Sequence, residues 1–328
     1  MSDPLMRAWP ATAPDAPFRP IELPVPVPGQ GEVLVRVHAS GVNPLDTKIR
    51  AGDAPHARQP LPAVLGIDLA GTVERVGEGV TEFVPGDAVW GAVGGVGGLA
   101  GTMAGFVAAD ARLLARKPAN LTMREAAALP LAAITAWEGL VDLAAVQAGE
   151  RVLVIGAAGG VGHVTAQLAR ARGARVFGVA SARDADYLES IGVRYVARAD
   201  AADAWVREHT DGQGFEVVYD SVGALAAAFE AVRPFGRVTS ALGWGSVSLA
   251  PLSFRSARYA GVFTLRPLLS GAGREAHGRI LAEAATLVEA GALVPRLDAR
   301  RFTIDQADVA HALVKTGQAN GKVVLEMA

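Results

Sequence analysis

Residues 152–181 read VLVIGAAGGVGHVTAQLARARGARVFGVAS, and the order of elements in that stretch decides the fold. Four apolar residues, Val152 to Ile155, have the length of a buried parallel strand. A turn of small residues follows: Ala157, Ala158, Gly159, Gly160, Val161 and Gly162. From Val161 to Arg172 the positions Val161, Val164, Thr165, Leu168 and Ala169 recur at helical spacing. Gly173 stands where helices commonly end on glycine, and a second apolar strand runs from Arg175 to Ala180. Strand, glycine turn, helix and strand within about thirty residues make a βαβ unit with a dinucleotide-binding fingerprint.

The chemistry needs that spacing. A pyrophosphate must approach the free N–H groups of a helix N-terminus, where the peptide dipoles sum to roughly half a positive charge. Side chains at Gly159 or Gly160 would block the approach, and Gly162 lets the helix pack closely on the strand. The first glycine of the usual pattern is read here as Ala157, giving A-x-G-x-x-G. A tight turn without nucleotide, or a methyltransferase loop, has the same local pattern. The flanking strand and helix favour the dinucleotide.

Composition bounds the alternatives. The 328 residues suit one large or two medium domains, and 51% hydrophobic content supports a sizeable core. A formal net charge of −2 gives no basic field to hold a nucleic-acid backbone. The chain has no cysteine, which excludes disulfides and cysteine-containing zinc sites. Its histidines, at 38, 56, 163, 209, 277 and 311, include no i,i+4 pair, so no histidine metal cluster is expected. The opening MSDPLMRAWPATAPD has no apolar run of the signal-peptide kind, and the expected location is the cytoplasm. Ala88–Ala109 lacks charge over a length that spans a bilayer, but its glycine content reads as a loop with short strands.

Before the βαβ unit the chain is β-rich. EVLVRVH at Glu32–His38 alternates, with Val33, Val35 and Val37 on one face. Val64–Val76 reads as a second strand region and Ala88–Trp90 as a third, after a turn at Pro85–Asp87. Thr122 with Glu125 forms a capping box opening an alanine-rich helix interrupted at Pro130. After the unit, strands are expected at Tyr195–Ala197, Phe215–Tyr219, Arg237–Leu242 and Gly261–Leu265, giving a doubly wound sheet of six parallel strands. Arg274–Glu289 and Ile304–Thr316 read as helices and Lys322–Glu326 as a last strand.

Several longer motifs occur in order: SGVNPLDTKIRAG at 40–52, VLGIDLAGTVERVGEGV at 64–80, FVPGDAVWG at 83–91, EAAALPLAAITAWEGL at 125–140, VVYDSVG at 217–223 and NGKVVLE at 320–326. With the glycine turn they resemble the medium-chain dehydrogenase/reductase superfamily over nearly the whole chain. The similarity is to its zinc-independent, zeta-crystallin-like quinone oxidoreductase branch. That resemblance implies an α/β fold: a GroES-like β-rich catalytic domain at 1–123, completed by 267–328, and a Rossmann domain at 124–266. It implies a cleft between them and a homodimer joined through an edge of the cofactor sheet. Zinc-dependent relatives carry cysteine where Asn43 stands and His-Glu where Ile67 and Asp68 stand, so no metal is expected.

The cofactor follows from the second strand. NAD-preferring domains place a carboxylate at its tip, but this strand ends Val179, Ala180, Ser181. Ser181 and Arg183 suit a 2′-phosphate, so NADPH is expected, with Asp184 and Asp186 read as starting the next helix. Arg198 is a second candidate phosphate contact, beside Ala199, where relatives often carry a tyrosine. The resemblance adds Thr135, Ser221, Val222, Ala241, Leu242 and Asn320 to the cofactor set, alongside Gly159, Gly160, Val161 and Gly162.

Without zinc no strong Lewis acid polarises a simple ketone, whereas a conjugated carbonyl or quinone accepts hydride with its enolate oxygen held by hydrogen bonds. The resemblance points the loop after the first long strand at the nicotinamide. Asn43 is then a donor to the carbonyl or carboxamide, Asp46 orients Lys48 or contacts the cofactor, and Lys48 supplies a proton or stabilises an oxyanion. Each residue also has a plain role, Asp46 as a loop-structuring carboxylate and Lys48 as a surface lysine. Some members of the family it resembles have tyrosines at the Lys48 position and near Ala54; their absence here argues against a tyrosine acid. The substrate pocket is expected from loops 53–60, 91–104 and 244–258, with Trp244 and Phe254 as stacking surfaces. A reductase of enoyl thioesters or other small carbonyls, and an NADPH-binding structural or sensing protein, are the alternative readings of the same residues.

Overall fold

The computed structural model describes residues 4–327. Their packing divides the chain into two compact units. One holds the described residues as far as Leu131, then Leu265–Ala290 and the chain from Pro295 onward; the other holds Ala132–Thr264 and Gly291–Val294.

The spine of the first unit is the strand Glu32–Val42, whose Val33, Leu34, Val35 and Val37 are all buried. It pairs antiparallel with Val323–Glu326 on one side and with Asp68–Val76 on the other. Ala88–Ala92 and Leu114–Arg116 continue the sheet, Phe302–Thr303 flanks the last strand, and Phe106–Asp110 pairs with the first half of the spine. The register places Val323 opposite Val42 and Asp68 opposite Gly41. Three distant parts of the chain therefore meet where the spine ends. A Cβ on Gly41 would lie 2.3 Å from the Ala127 carbonyl oxygen, so glycine is what lets the helix Met123–Ala127 close on this strand. Thr122 caps that helix as its spacing predicts, and Pro130 opens a second helix, Pro130–Trp137, instead of kinking the first. The uncharged run at 88–109 forms two short strands around a glycine-rich segment. Among the described residues no helix is long and apolar enough to cross a membrane.

The second unit is a six-stranded parallel sheet. Across the sheet the strands are Arg194–Ala197, Arg175–Ala180, Arg151–Ile155, Phe215–Asp220, Val232–Ser240 and Arg258–Gly261, the doubly wound order 3-2-1-4-5-6. Leu153, Ile155, Val179, Phe215, Val218, Phe229 and Val238 fill one core between sheet and helices. Two expected strands lie elsewhere. The fifth begins at Val232, not Arg237, and the sixth is Arg258–Gly261, not Gly261–Leu265. The sixth is an edge strand with mostly exposed side chains, so it lacks an apolar run; buried Val262 and Leu265 draw the pattern past its end. In the first unit, the helix expected at Ile304–Thr316 opens as a 3₁₀ turn, Ile304–Gln306, and turns α-helical over Ala307–Lys315.

Candidate active site

In the first unit the loop expected after the spine is a helix, Pro44–Ala51, with Asn43 as its N-cap. Asp46 is buried and its Oδ2 accepts the Asn43 backbone N–H at 2.8 Å, half of a capping box. Among the described residues its Oδ1 has no hydrogen-bond partner. Burial pushes the Asp46 carboxyl up to about 7, with the Asp68 charge adding to the rise and Lys322 opposing it. Lys48 is exposed and makes no hydrogen bond with Asp46 among the described residues. The expected orientation of Lys48 by Asp46 is therefore not seen, because Asp46 faces the helix cap.

The lysine that reaches this site is Lys322, the residue before the last strand. Its Nζ donates to Asn43 Oδ1 and lies 3.8 Å from Asp68 Oδ2. Asn43 Nδ2 donates to the same Asp68 oxygen at 2.9 Å, and the Leu131 N–H donates to Asp68 Oδ1 at 2.7 Å. Asn43, Asp68 and Lys322 are all buried. Burial pushes Asp68 up and Lys322 down, and each opposes the other's shift. Both Asp68 oxygens accept from N–H groups, which favours its carboxylate form, and the facing charges of Asp68 and Lys322 each favour the charged form of the other. Sequence reasoning named Asn43, placed Asp68 only as a vacated metal-ligand position and missed Lys322; the antiparallel register brings the three together.

This donor set does not fit zinc. Ile67 is apolar and buried, the Asn43 oxygen faces an ammonium, and a dication beside Lys322 would repel it. Among the described residues no group of three His, Cys, Asp or Glu is placed to hold a metal.

In the second unit the carboxyl ends of the parallel strands align: Ile155 is in register with Val179 and Asp220, Ala180 with Ala197, and Asp220 with Ser240. The turn at 156–162, Ser181, Arg183, Arg198, Ser221, Val222, Ala241 and Leu242 follow directly after those ends. Dinucleotides bind at this edge in open α/β sheets. The true turn glycine is Gly156, with φ +82°; Ala157, read as its substitute, packs its methyl against Gly178 instead. The Gly156 and Ala157 N–H groups both bond the Val179 carbonyl. A Cβ on Gly162 would sit 2.0 Å from the Gly156 carbonyl oxygen, which makes glycine obligatory there. The helix Gly162–Ala171 follows, and the N–H groups of Gly160, Val161 and Gly162 lie ahead of its first bonds, from His163 to Gly159 O and from Thr165 to Val161 O. That cradle fits an anion.

Asp220 is a further residue that sequence reasoning passed over. Its Oδ1 accepts the N–H groups of Val222 and Ala224, each at 3.0 Å, and its Oδ2 accepts the Ser240 hydroxyl at 2.8 Å. Ser240 Oγ in turn accepts the Leu242 N–H at 3.1 Å. One buried carboxylate thus ties together two of the expected cofactor loops. Its sequence signal was an acid closing an apolar strand. Ser221 donates to the Ile155 carbonyl at 2.8 Å, and Tyr219 donates to the Thr135 carbonyl at 2.9 Å, fixing the helix that carries Thr135. Ser181 does not present a free hydroxyl: it donates to Asp184 at 2.8 Å, and the exposed Arg183 lies 3.6 Å from the same carboxylate. Arg198 is exposed. Asn320 belongs to the first unit, where it accepts from Arg296 and its N–H bonds Asp298.

Residues 29–119 match the family model described as the alcohol dehydrogenase GroES-like domain, and 191–325 match that described as zinc-binding dehydrogenase. The chain is 34% identical over 311 residues to 2-methylene-furan-3-one reductase of Solanum lycopersicum, covering 92% of this chain and 73% of that protein. It is 32% identical over 310 residues to the chloroplastic NADPH-dependent alkenal/one oxidoreductase of Arabidopsis thaliana, with the same coverage of each. A solved alcohol dehydrogenase superfamily protein from Novosphingobium aromaticivorans superposes with TM-score 0.97 at 52% identity, over 98% of this chain and all of that one.

Proposed function

The chain belongs to the medium-chain dehydrogenase/reductase superfamily, in its zinc-independent, quinone-oxidoreductase-like branch, and on that premise we propose that it is an NADPH-dependent reductase of α,β-unsaturated carbonyls and quinones. The observation that carries the reading is the combination of a dinucleotide cradle with a metal-ligand position whose donors are held by Lys322. A bound nicotinamide supplies hydride. The chain's own residues do the rest. The turn at Gly156–Gly162 receives the pyrophosphate, and Asp220 holds the loops at Val222 and Leu242 in place. One Asn43 Nδ2–H is taken by Asp68; the other is free to meet the oxygen on which enolate charge develops. The relatives named for enone and alkenal reduction support conjugated carbonyls as the substrate class. The same reading takes the protein as a cytoplasmic homodimer, with the outer strand Arg258–Gly261 leaving a sheet edge for a second copy.

NADPH consumption across quinones, 2-alkenals, enones and enoyl thioesters tests the activity. Turnover with enones or quinones is expected; nucleotide binding without oxidation by any of them overturns the reading. Cofactor choice has its own test. Arg183 is the exposed cation beyond the second strand, so kcat/KM for NADPH is expected to exceed that for NADH by at least about tenfold, and Arg183→Ala to remove most of that ratio. A wild-type preference for NADH contradicts it, and would point to Asp184 as the ribose ligand.

A further inference from the structure

We infer that Lys322 supplies the fixed positive charge of this active site, holding Asn43 in the orientation that catalysis needs. This rests on the reductase reading and deepens it. The side chain of Asn43 has two faces, a carbonyl and an amide, and either could point inward. Here the carbonyl faces the Lys322 ammonium and the amide faces the Asp68 carboxylate. A flipped Asn43 would set its NH2 against an ammonium and its oxygen against a carboxylate, two repulsions in a buried site. The ion pair therefore selects one orientation. It also polarises the amide: an oxygen that accepts from a cation makes the N–H groups on the same amide better donors. Zinc-dependent relatives place metal ligands at positions 43, 67 and 68. In this chain an ammonium from residue 322 stands against two of those three positions, so the cation is built into the protein. Lys322 acts through Asn43 and is a positioning residue.

The test uses the full-length protein with NADPH and an enone that it reduces. Lys322→Met alone leaves Asp68 buried without its cation, so a lowered unfolding midpoint is expected. Lys322→Met combined with Asp68→Asn removes both charges and is expected to recover much of that midpoint. The double variant should keep its KM for NADPH within about twofold while kcat falls by about tenfold to a hundredfold. In an Asn43→Ala background the same two substitutions should lower kcat by less than about twofold, because their effect passes through Asn43. A double variant with wild-type kcat overturns the inference, as does a full additional loss in the Asn43→Ala background. Metal analysis decides independently of any variant: stoichiometric zinc in the wild-type protein overturns it, since a dication and Lys322 compete for Asp68. If the wild-type protein reduces no conjugated acceptor, the functional reading fails, while the midpoint and metal results still decide whether Lys322 holds this position.

Discussion

Asp46→Asn is expected to gain on the wild type by about 4 kcal/mol as the pH is raised from 4 to 8. The Asp46 carboxyl titrates near 3.8 when solvated and is pushed up to about 7 by burial in the fold. Between those values the folded state binds a proton that the unfolded state has released. The stability contributed by this proton is fully present at low pH and drains away as pH rises towards 7. One unit of pKa corresponds to about 1.4 kcal/mol, so a rise of about three units corresponds to about 4 kcal/mol. The groups facing the carboxyl act in opposite directions, Asp68 raising and Lys322 lowering it, and burial outweighs both. Asparagine keeps an oxygen to accept the Asn43 N–H and carries no charge at any pH. Its amide nitrogen has no partner in place of the orphaned Oδ1, a cost that does not vary with pH and cancels from the comparison. Denaturant unfolding of both proteins at pH 4.5, 6 and 8 measures the effect. Parallel stability profiles for variant and wild type would place Asp46 among ordinary ionised carboxylates and contradict the account.

Gly162→Val is expected to cripple dinucleotide binding. Even the Cβ lies 2.0 Å from the Gly156 carbonyl oxygen and 2.9 Å from Ala157 Cα, both backbone atoms of the turn. No rotamer relieves that overlap, so the turn or the helix Gly162–Ala171 must move, and the N–H groups before the helix lose their convergence. Overpacking of this kind costs about 1–3 kcal/mol in stability, and affinity for NADPH is expected to fall by at least about a hundredfold. Gly159→Ala is the milder companion. Its Cβ meets only the Gly156 oxygen, at 3.2 Å, so the fold tolerates it while the methyl crowds the exposed face of the turn. A rise of about tenfold in KM for NADPH is expected there. Titration of the intact proteins with NADPH, read by nucleotide fluorescence, separates the two. A Gly162→Val protein that binds as tightly as the wild type would show that the cofactor does not use this turn.

How much of this was legible in the sequence varied with the range of the forces involved. The strands Arg151–Ile155 and Arg175–Ala180, the helix between them and Gly173 at its end are local features, and apolar runs with one glycine expose them. The edge strand Arg258–Gly261 buries little and left no apolar signal. Gly156 was passed over because a pattern cannot report which glycine adopts positive φ. The site was harder still. Asn43 was found by its place in a motif, but its partner Lys322 is 279 residues away and meets it only through the pairing of Val42 with Val323. Lys48, two residues after Asp46, looked like the better lysine; helix geometry turns it to solvent. Ser181 was read as a free donor because nothing in a linear pattern shows that Asp184 folds back to accept its proton.

Conjugate reduction without a metal is read out by the position of the transferred hydride. With NADPH deuterated on the transferring face of C4 and an enone as acceptor, in the presence of a zinc chelator, the expected product is a saturated ketone carrying deuterium on its β-carbon. An allylic alcohol with deuterium on the former carbonyl carbon, or turnover that the chelator abolishes, would contradict it.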